Sequence, residues 1–247
     1  MSNSYNSYPR FNESTWSKLP NYFDLTQPMS ILRWAESTVS LKLSFHDTFF
    51  ILDLSNENCL ENAAVFDLKR GILKTTQTTR ELLRQLVRQA DYWHRHYLEQ
   101  VAIMNNITLI KLPFVKGDVC LIPLSSATQK SASWFSATQL SHQEAAGSKR
   151  TELTYLGRLR LTIPVSLKRI QRQLLDSQRL QSALVEYLVN QRKFVYGELS
   201  PVILERVSQK CQRLVMCDFL ERSCGDYNLI VTRREIEQTT DNYFGKF

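Results

Sequence analysis

Hydrophobic periodicity changes several times along the chain, and each change marks an element. Residues 38–54 are rich in Leu, Phe and β-branched side chains that partly alternate with polar ones, a spacing that predicts strands and a hairpin turning near His46 and Asp47. From Thr79 the period lengthens. Leu82, Leu83, Leu86, Val87, Ala90, Trp93 and Tyr97 recur at three and four residues, which predicts one amphipathic helix running to about Gln100. Arg80, Arg84 and Arg88 ride its other side, four residues and so about 6 Å of rise apart.

Residues 107–112 and 119–124 read as a strand pair around Lys116, Gly117 and Asp118. Further on, Leu153 and Tyr155, then Leu159, Leu161 and Ile163, alternate with Thr154, Arg158, Arg160 and Thr162. That period of two turns the leucines inward and both arginines to the exposed face. Pro164 ends the second strand, and Ser166 is placed to cap a long helix with the stripe Leu167, Ile170, Leu174, Leu184, Tyr187 and Leu188. Ser200 and Pro201 announce a last helix carrying Val202, Leu204, Val207, Leu214, Val215, Cys217 and Phe219. Beyond Asp226, residues 229–233 are either a short strand or a disordered extension, and no internal repeat is visible. Together these predict an α+β fold: antiparallel β-hairpins with an amphipathic helix inserted and two C-terminal helices.

Composition sets the class. The 247 residues, 43% hydrophobic and 22% charged, can bury one large core or two modest ones, which excludes wholesale disorder. The first seventeen residues are polar and aromatic, without the basic and apolar regions of a secretory signal, and read as a floppy tail. No run approaches the ~18 apolar residues of a membrane span. Cys59, Cys120, Cys211, Cys217 and Cys224 are odd in number and sparse, as expected of reduced thiols. A soluble protein of the cytoplasm, away from membranes, is the expectation.

Charge narrows the partner. The net charge of +7 and pI near 9.2 favour a polyanion without saying which. From Lys149 to Lys193 there are ten basic residues (Lys149, Arg150, Arg158, Arg160, Lys168, Arg169, Arg172, Arg179, Arg192, Lys193) against the acids Glu152, Asp176 and Glu186, so this stretch holds the whole excess. A basic strand followed by a helix with Lys168, Arg172 and Arg179 on nearly one face suits a phosphate backbone. Against that, Asp176 falls between Arg172 and Arg179, and the same pattern describes a solvated face laced with ion pairs.

Catalytic chemistry is not written into the chain. None of the seven glycines falls two residues from another, so neither a dinucleotide fingerprint nor a phosphate loop can be drawn, and no serine stands in a nucleophile elbow. His94 and His96 diverge by about 200° on a helix, the wrong geometry for one metal. Cys211, Cys217 and Cys224 lack zinc-knuckle spacing and fit the apolar stripe of the last helix. The expectation is a protein that is not an enzyme, with no catalytic residue, no metal ligand and no cofactor. His46 and His142 have no nucleophile close in sequence.

The order of residues adds a resemblance. Residues 121–136 read LIPLSSATQKSASWFS, similar to a Leu-Phe-Pro-Thr segment that is followed by polar residues and Trp-Ile-Ser in the ComK family of competence regulators; Pro123 and Trp134 keep that separation. Residues 151–166, TELTYLGRLRLTIPVS, resemble the family's hairpin ending in Leu-Pro-Ile-Ser and leading into a helix. Upstream, residues 67–80 (DLKRGILKTTQTTR) place Asp67, Ile72, Leu73, Thr75, Thr76 and Arg80 at matching positions, with Arg70 where the family has cysteine and Lys74 and Thr79 where it has glycine. The likeness spans residues 67–180 and stops by Val189.

The resemblance implies a DNA-binding activator of DNA-uptake genes that engages A/T-rich inverted boxes as a homodimer or larger oligomer, contacts mainly the minor groove and bends double-stranded DNA. On that expectation residues 1–30 form a flexible tail, 31–190 the ComK-like DNA-binding domain and 191–247 a C-terminal helical extension and tail. Arg158 and Arg160 would read the groove, and Arg80, Arg84 and Arg88 would clamp flanking phosphates, alongside Lys149, Arg150, Lys168, Arg169, Arg172 and Arg179. RNA polymerase and an adaptor that delivers the protein to a Clp protease are the implied protein partners, although the family's adaptor-binding peptide has no counterpart placed here. Two other classes fit the basic patch: an RNA-binding or nucleic-acid-processing protein, and a protein-interaction adaptor whose basic helix meets an acidic partner. Trp134 alternates with its neighbours in a strand-like stretch and is expected in the core rather than as a stacking platform.

Overall fold

The computed structural model describes residues 11–89, 93–125, 131–195, 217 and 232–244. Elements follow in the order α1 (Glu13–Trp16), β1 (Tyr22–Asp24), β2 (Glu36–Ser37), β3 (Thr48–Asp53), β4 (Ala63–Asp67), β5 (Gly71–Thr75), α2 (Thr79–Gln89), α3 (Trp93–Met104), β6 (Phe114–Lys116), β7 (Val119–Pro123), β8 (Trp134–Ser136), β9 (Leu140–Ala145), β10 (Thr151–Tyr155), β11 (Leu159–Ile163), α4 (Leu167–Val195) and α5 (Arg233–Phe244). The class is α+β. One sheet has seven strands in the order β2-β5-β4-β3-β8-β7-β6, the other four in the order β1-β11-β10-β9. Pairing is antiparallel except at two short edges, where β1 runs parallel to β11 and β2 to β5.

Near-continuous apolar runs explain the large sheet. β3 and β4 are buried along almost their whole length, the signature of strands covered on both faces. Side chains alternate between those faces. One face carries Ile51, Ala63, Val65, Leu73, Val119, Leu121 and Trp134, and α2 packs there through Leu82, Leu83 and Leu86. On the opposite face Phe66 meets Phe23 of β1 at a ring-centroid separation of 5.6 Å, and Phe49 meets Tyr155 of β10 at 4.8 Å. The four-stranded sheet therefore covers the face that α2 leaves. The first half of α4 lies on that same side. Gln173 Nε2 donates to the Pro123 carbonyl (2.6 Å), Arg169 Nη2 to the Leu124 carbonyl (2.9 Å), and Ser177 hydrogen-bonds the thiol of Cys120, whose neighbours Val119 and Leu121 point the other way.

The chain divides into two compact units, Met1–Ala183 with both sheets and Leu184–Phe247; α4 passes from the first into the second. In the second unit, α5 begins at a capping box, with Thr232 N–H and hydroxyl donating to Glu235 at 2.7 and 2.8 Å. Ile236 and Thr240 are buried, and the Cys217 thiol donates to Thr240 Oγ1 at 3.2 Å.

Several expectations are corrected. Residues 38–54 form one strand, β3, not a hairpin; its partners are β4 and β8. The alternation before it arises because Leu41 and Leu43 tuck into the α2 core while the backbone is unladdered, Leu41 N–H donating instead to Gln77 Oε1 at 2.7 Å. The strand facing β7 is Phe114–Lys116, because residues 109–111 form a 3-10 turn; the reversal at Gly117 (φ 59°) is where the glycine placed it. The helix expected from Thr79 to about Gln100 is seen as α2 and α3, and residues 90–92 between them lie outside the described residues. Arg233 opens a helix rather than ending a strand. In α4 the buried positions are Ile170, Ser177, Leu180 and Leu184, whereas Leu188 is exposed. The helix expected after Pro201 lies outside the described residues apart from Cys217, as do Cys211 and Cys224.

The N-terminal tail is also revised. From residue 11 onward it is seated: Trp16 is buried and its indole N–H donates to the carbonyls of Asp67 and Leu68, at 3.3 and 3.1 Å. Aromatic content in a polar stretch decided this, since a tryptophan whose N–H finds an acceptor gains by burial. Gly71 makes room for the neighbouring residues Thr15 and Leu19. A β-carbon at Gly71 would stand 2.9 Å from Thr15 Cγ2, and its φ of +80° disfavours other residues. Phe23 and Leu25 are buried as well.

Helix α2 starts with a second capping box. Thr78 N–H and hydroxyl donate to Glu81 Oε2 at 2.8 and 3.0 Å, and Glu81 N–H donates back to Thr78 Oγ1 at 3.2 Å. The Thr78 backbone N–H, then its hydroxyl, hold the Glu81 carboxyl below its ordinary value, with burial opposing weakly and Arg84 assisting. A carboxyl depressed by folding stabilises the protein above the unfolded-state carboxylate pKa and stops doing so as pH falls through the folded value. Thr78→Ala is accordingly expected to cost about 1 kcal/mol at neutral pH. Urea melts at neutral pH and again in acid, where Glu81 is protonated, will show the gap from wild type narrowing.

Candidate nucleic-acid interface

The hairpin β10–β11 and the start of α4 bring the basic residues into position. Thr151 pairs with Ile163, and its hydroxyl donates to the Val165 carbonyl at 2.6 Å. The β9–β10 turn bearing Lys149 and Arg150 is thereby held beside the junction of β11 with α4. Lys168 and Arg169 occupy the first turn of that helix, where the unpaired N–H groups add partial positive charge. Lys149, Arg150 and Lys168 are exposed and form no ion pair among the described residues, and the same holds for Arg179 two to three turns on. Arg172, with 84% of its side chain exposed, has Asp176 at 4.0 Å as its ion-pair partner among the described residues. Arg169 differs, being tied to the Leu124 carbonyl. Close to it stands Lys111, absent from the sequence reading; burial and then the charge of Arg169 hold its ammonium below the ordinary value. A lysine destabilised by a neighbouring cation marks positive potential at this corner.

The two strand arginines lie elsewhere. The hairpin sends Arg158 to the opposite end of β10, about 15 Å from the Lys149 turn at ~3.4 Å per residue. Arg158 and Arg160 are exposed, as their period of two predicts, but neither is free. Arg158 lies over the Phe11 ring at 3.9 Å and donates to both carboxylate oxygens of Glu13, at 3.2 and 2.5 Å. Arg160 reaches Glu152 at 3.5 Å and lies 5.5 Å from the Tyr22 ring centre. Glu152 is recoverable from the hairpin register, since Arg160 pairs with Thr154 and so stands diagonal to Glu152. Glu13, 145 residues away, gives no such signal.

The third group is separated altogether. Arg80, Arg84 and Arg88 are exposed on the outer side of α2, which sits on the other face of the seven-stranded sheet from β10, β11 and α4. They do not extend the α4 surface. Trp134 is core, in the buried cluster that includes Leu82 and Val65, as its alternation predicts. Burial raises the Cys120 thiol to about 11, partly offset by its bond to Ser177, which keeps it unreactive. Among the described residues no cluster of His, Cys, Asp and Glu could hold a metal ion, and no helix is long and apolar enough to cross a membrane.

Fold and charge together define a two-sheet α+β protein with a basic corner where a hairpin turn meets a helix start. A family model described as ComK protein matches residues 110–193. The match takes in the hairpin, that corner and α4 up to residue 193, while residues 67–80 fall outside it. That segment is similar to the ComK family, whose members are competence-related transcription factors. No curated protein and no solved structure matches the chain.

Proposed function

We propose that the protein is a sequence-preferring DNA-binding activator of competence genes, engaging A/T-rich inverted sites through the corner formed by Lys149, Arg150, Lys168 and Arg172, with Arg169 and Arg179 flanking it. One observation carries this: the Thr151 bond to the Val165 carbonyl holds the turn bearing Lys149 and Arg150 beside the start of the helix that carries Lys168 and Arg172, inside the segment that matches the family. Each contact that neutralises a phosphate releases counterions, so such a corner binds a duplex backbone strongly at low salt. Minor-groove reading suits it, because narrow A-tracts concentrate negative potential that draws arginine inward, and the Gly147 turn beside Lys149 and Arg150 has open space around it. A homodimer would match the dyad of an inverted site. Cytoplasmic location and contacts with RNA polymerase and a Clp protease adaptor belong to the same reading.

A mobility-shift series tests it. A duplex with A/T-rich inverted repeats should bind much better than G·C-rich duplex or RNA, and its affinity should fall steeply with salt. Equal affinity for all three would remove sequence preference, and preference for RNA would favour an RNA-binding role.

The Glu13 contact makes a separate expectation. Arg158 stands outside that corner and is neutralised by the Glu13 carboxylate, so releasing it would add a cation that the corner alone does not supply. Glu13→Gln should therefore tighten duplex binding and steepen the dependence of log affinity on log salt by about 0.9, the increment for one added phosphate contact. A salt titration with an unchanged slope would exclude Arg158 from the interface.

A further inference from the structure

The α2 arginines form a cationic row that the corner at α4 cannot use. Arg80, Arg84 and Arg88 recur every four residues, so the row extends about 12 Å along one side of the helix. Leu82, Leu83 and Leu86 are buried on the other side against the large sheet. No ion pair engages the three guanidinium groups among the described residues; the one acid in the helix, Glu81, has its carboxylate committed to Thr78, with Arg84 as a Coulombic neighbour. Lys168, Arg172 and Arg179 point away from the same sheet on its far side, opposite the buried Ile170, Ser177 and Leu180. Layers stack about 10 Å apart and a helix with its side chains is about 10–12 Å across, which places the two sets of tips ~30 Å apart and facing opposite directions. One straight stretch of backbone cannot touch both.

We propose that α2 is a second, independent phosphate-binding surface that holds another duplex segment while the α4 corner holds the first, so that the protein bridges DNA. The inference rests on the DNA-binding reading above. Duplex phosphate is favoured over an acidic peptide by the side chains themselves: all three are arginine, whose planar fork takes phosphate oxygens in pairs, and they are evenly spaced along a line.

A bead-capture experiment tests it with the full chain. An A/T-rich duplex is immobilised, protein is bound to it, and retention of a second, fluorescent duplex is measured at low salt, alongside the affinity of each variant for a single duplex in solution. Arg80→Gln, Arg84→Gln and Arg88→Gln together preserve helix propensity at exposed positions. The expected result is at least a tenfold loss of second-duplex capture, with single-duplex affinity within about twofold of wild type and an unchanged circular dichroism spectrum. Capture that survives in the triple variant would mean that two α4 corners in an oligomer do the bridging, and the proposal falls. It falls equally if single-duplex affinity drops in parallel, since the row then serves the same duplex as the corner. A wild type that binds one duplex, captures no second, and loses a fluorescent polyglutamate peptide on triple substitution would assign the row to an acidic protein instead. If wild type binds no duplex at all, the DNA-binding reading itself is what fails.

Discussion

Replacing Lys149, Arg150 and Lys168 together by alanine is expected to weaken duplex binding about a hundredfold at low salt, three charge-assisted contacts at ~1 kcal/mol each. The same variant should lose about 2.7 from the slope of log affinity against log salt, 0.9 for each phosphate no longer neutralised. Both readouts matter, since a misfolded protein would lose affinity without losing an integral number of contacts. All three side chains are exposed and unpaired among the described residues, so the circular dichroism spectrum should not change. Retention of wild-type affinity and slope would remove the hairpin–helix corner from DNA binding.

Phe66→Ala should be among the most damaging single changes to the fold. Phe66 is fully buried on β4 and sits edge-on to three other rings: Phe23 at 5.6 Å, Phe49 at 5.9 Å and Phe50 at 5.8 Å. Phe23 belongs to the small sheet and the other two to the large one, so the side chain joins the sheets. Loss of a fully buried phenylalanine costs about 3–5 kcal/mol, and the rings around it forfeit edge-to-face contacts. Against a total stability of roughly 5–15 kcal/mol, this is a large fraction of what keeps the protein folded. Urea denaturation should show the midpoint falling accordingly, with Phe66→Leu retaining much of the loss. A cost below about 1 kcal/mol would mean that the sheets are held together elsewhere.

Local signals were legible wherever neighbours in sequence decide the outcome. The β10–β11 hairpin is one case, because its inward leucines and outward arginines follow from a period of two. The apolar side of α2 is another. Long-range partners were not legible. Nothing near Arg158 announces Glu13, and the row of α2 arginines looks continuous with the α4 charges until strand parity places the two helices on opposite faces of one sheet. The alternation of Leu41 and Leu43 misleads for a related reason: side chains can dip into a core in turn while the backbone has no strand to pair with. For the candidate site, the charge concentration was visible in the chain, but the junction that selects Lys149, Arg150 and Lys168 from it depends on the Thr151 bond to Val165.

The strand order also bears on how the protein can be handled. Residues 110–193 supply β6 to β11, but β8 hydrogen-bonds to β3 and β11 to β1, both contributed by the first fifty-three residues. Excising the matched segment would strip a neighbour from each of two strands at once and bare the phenylalanine-lined surface between the layers. Unpaired strand edges beside exposed apolar area template association with other chains. Inclusion bodies, rather than a minimal DNA-binding module, are what such a truncation would yield.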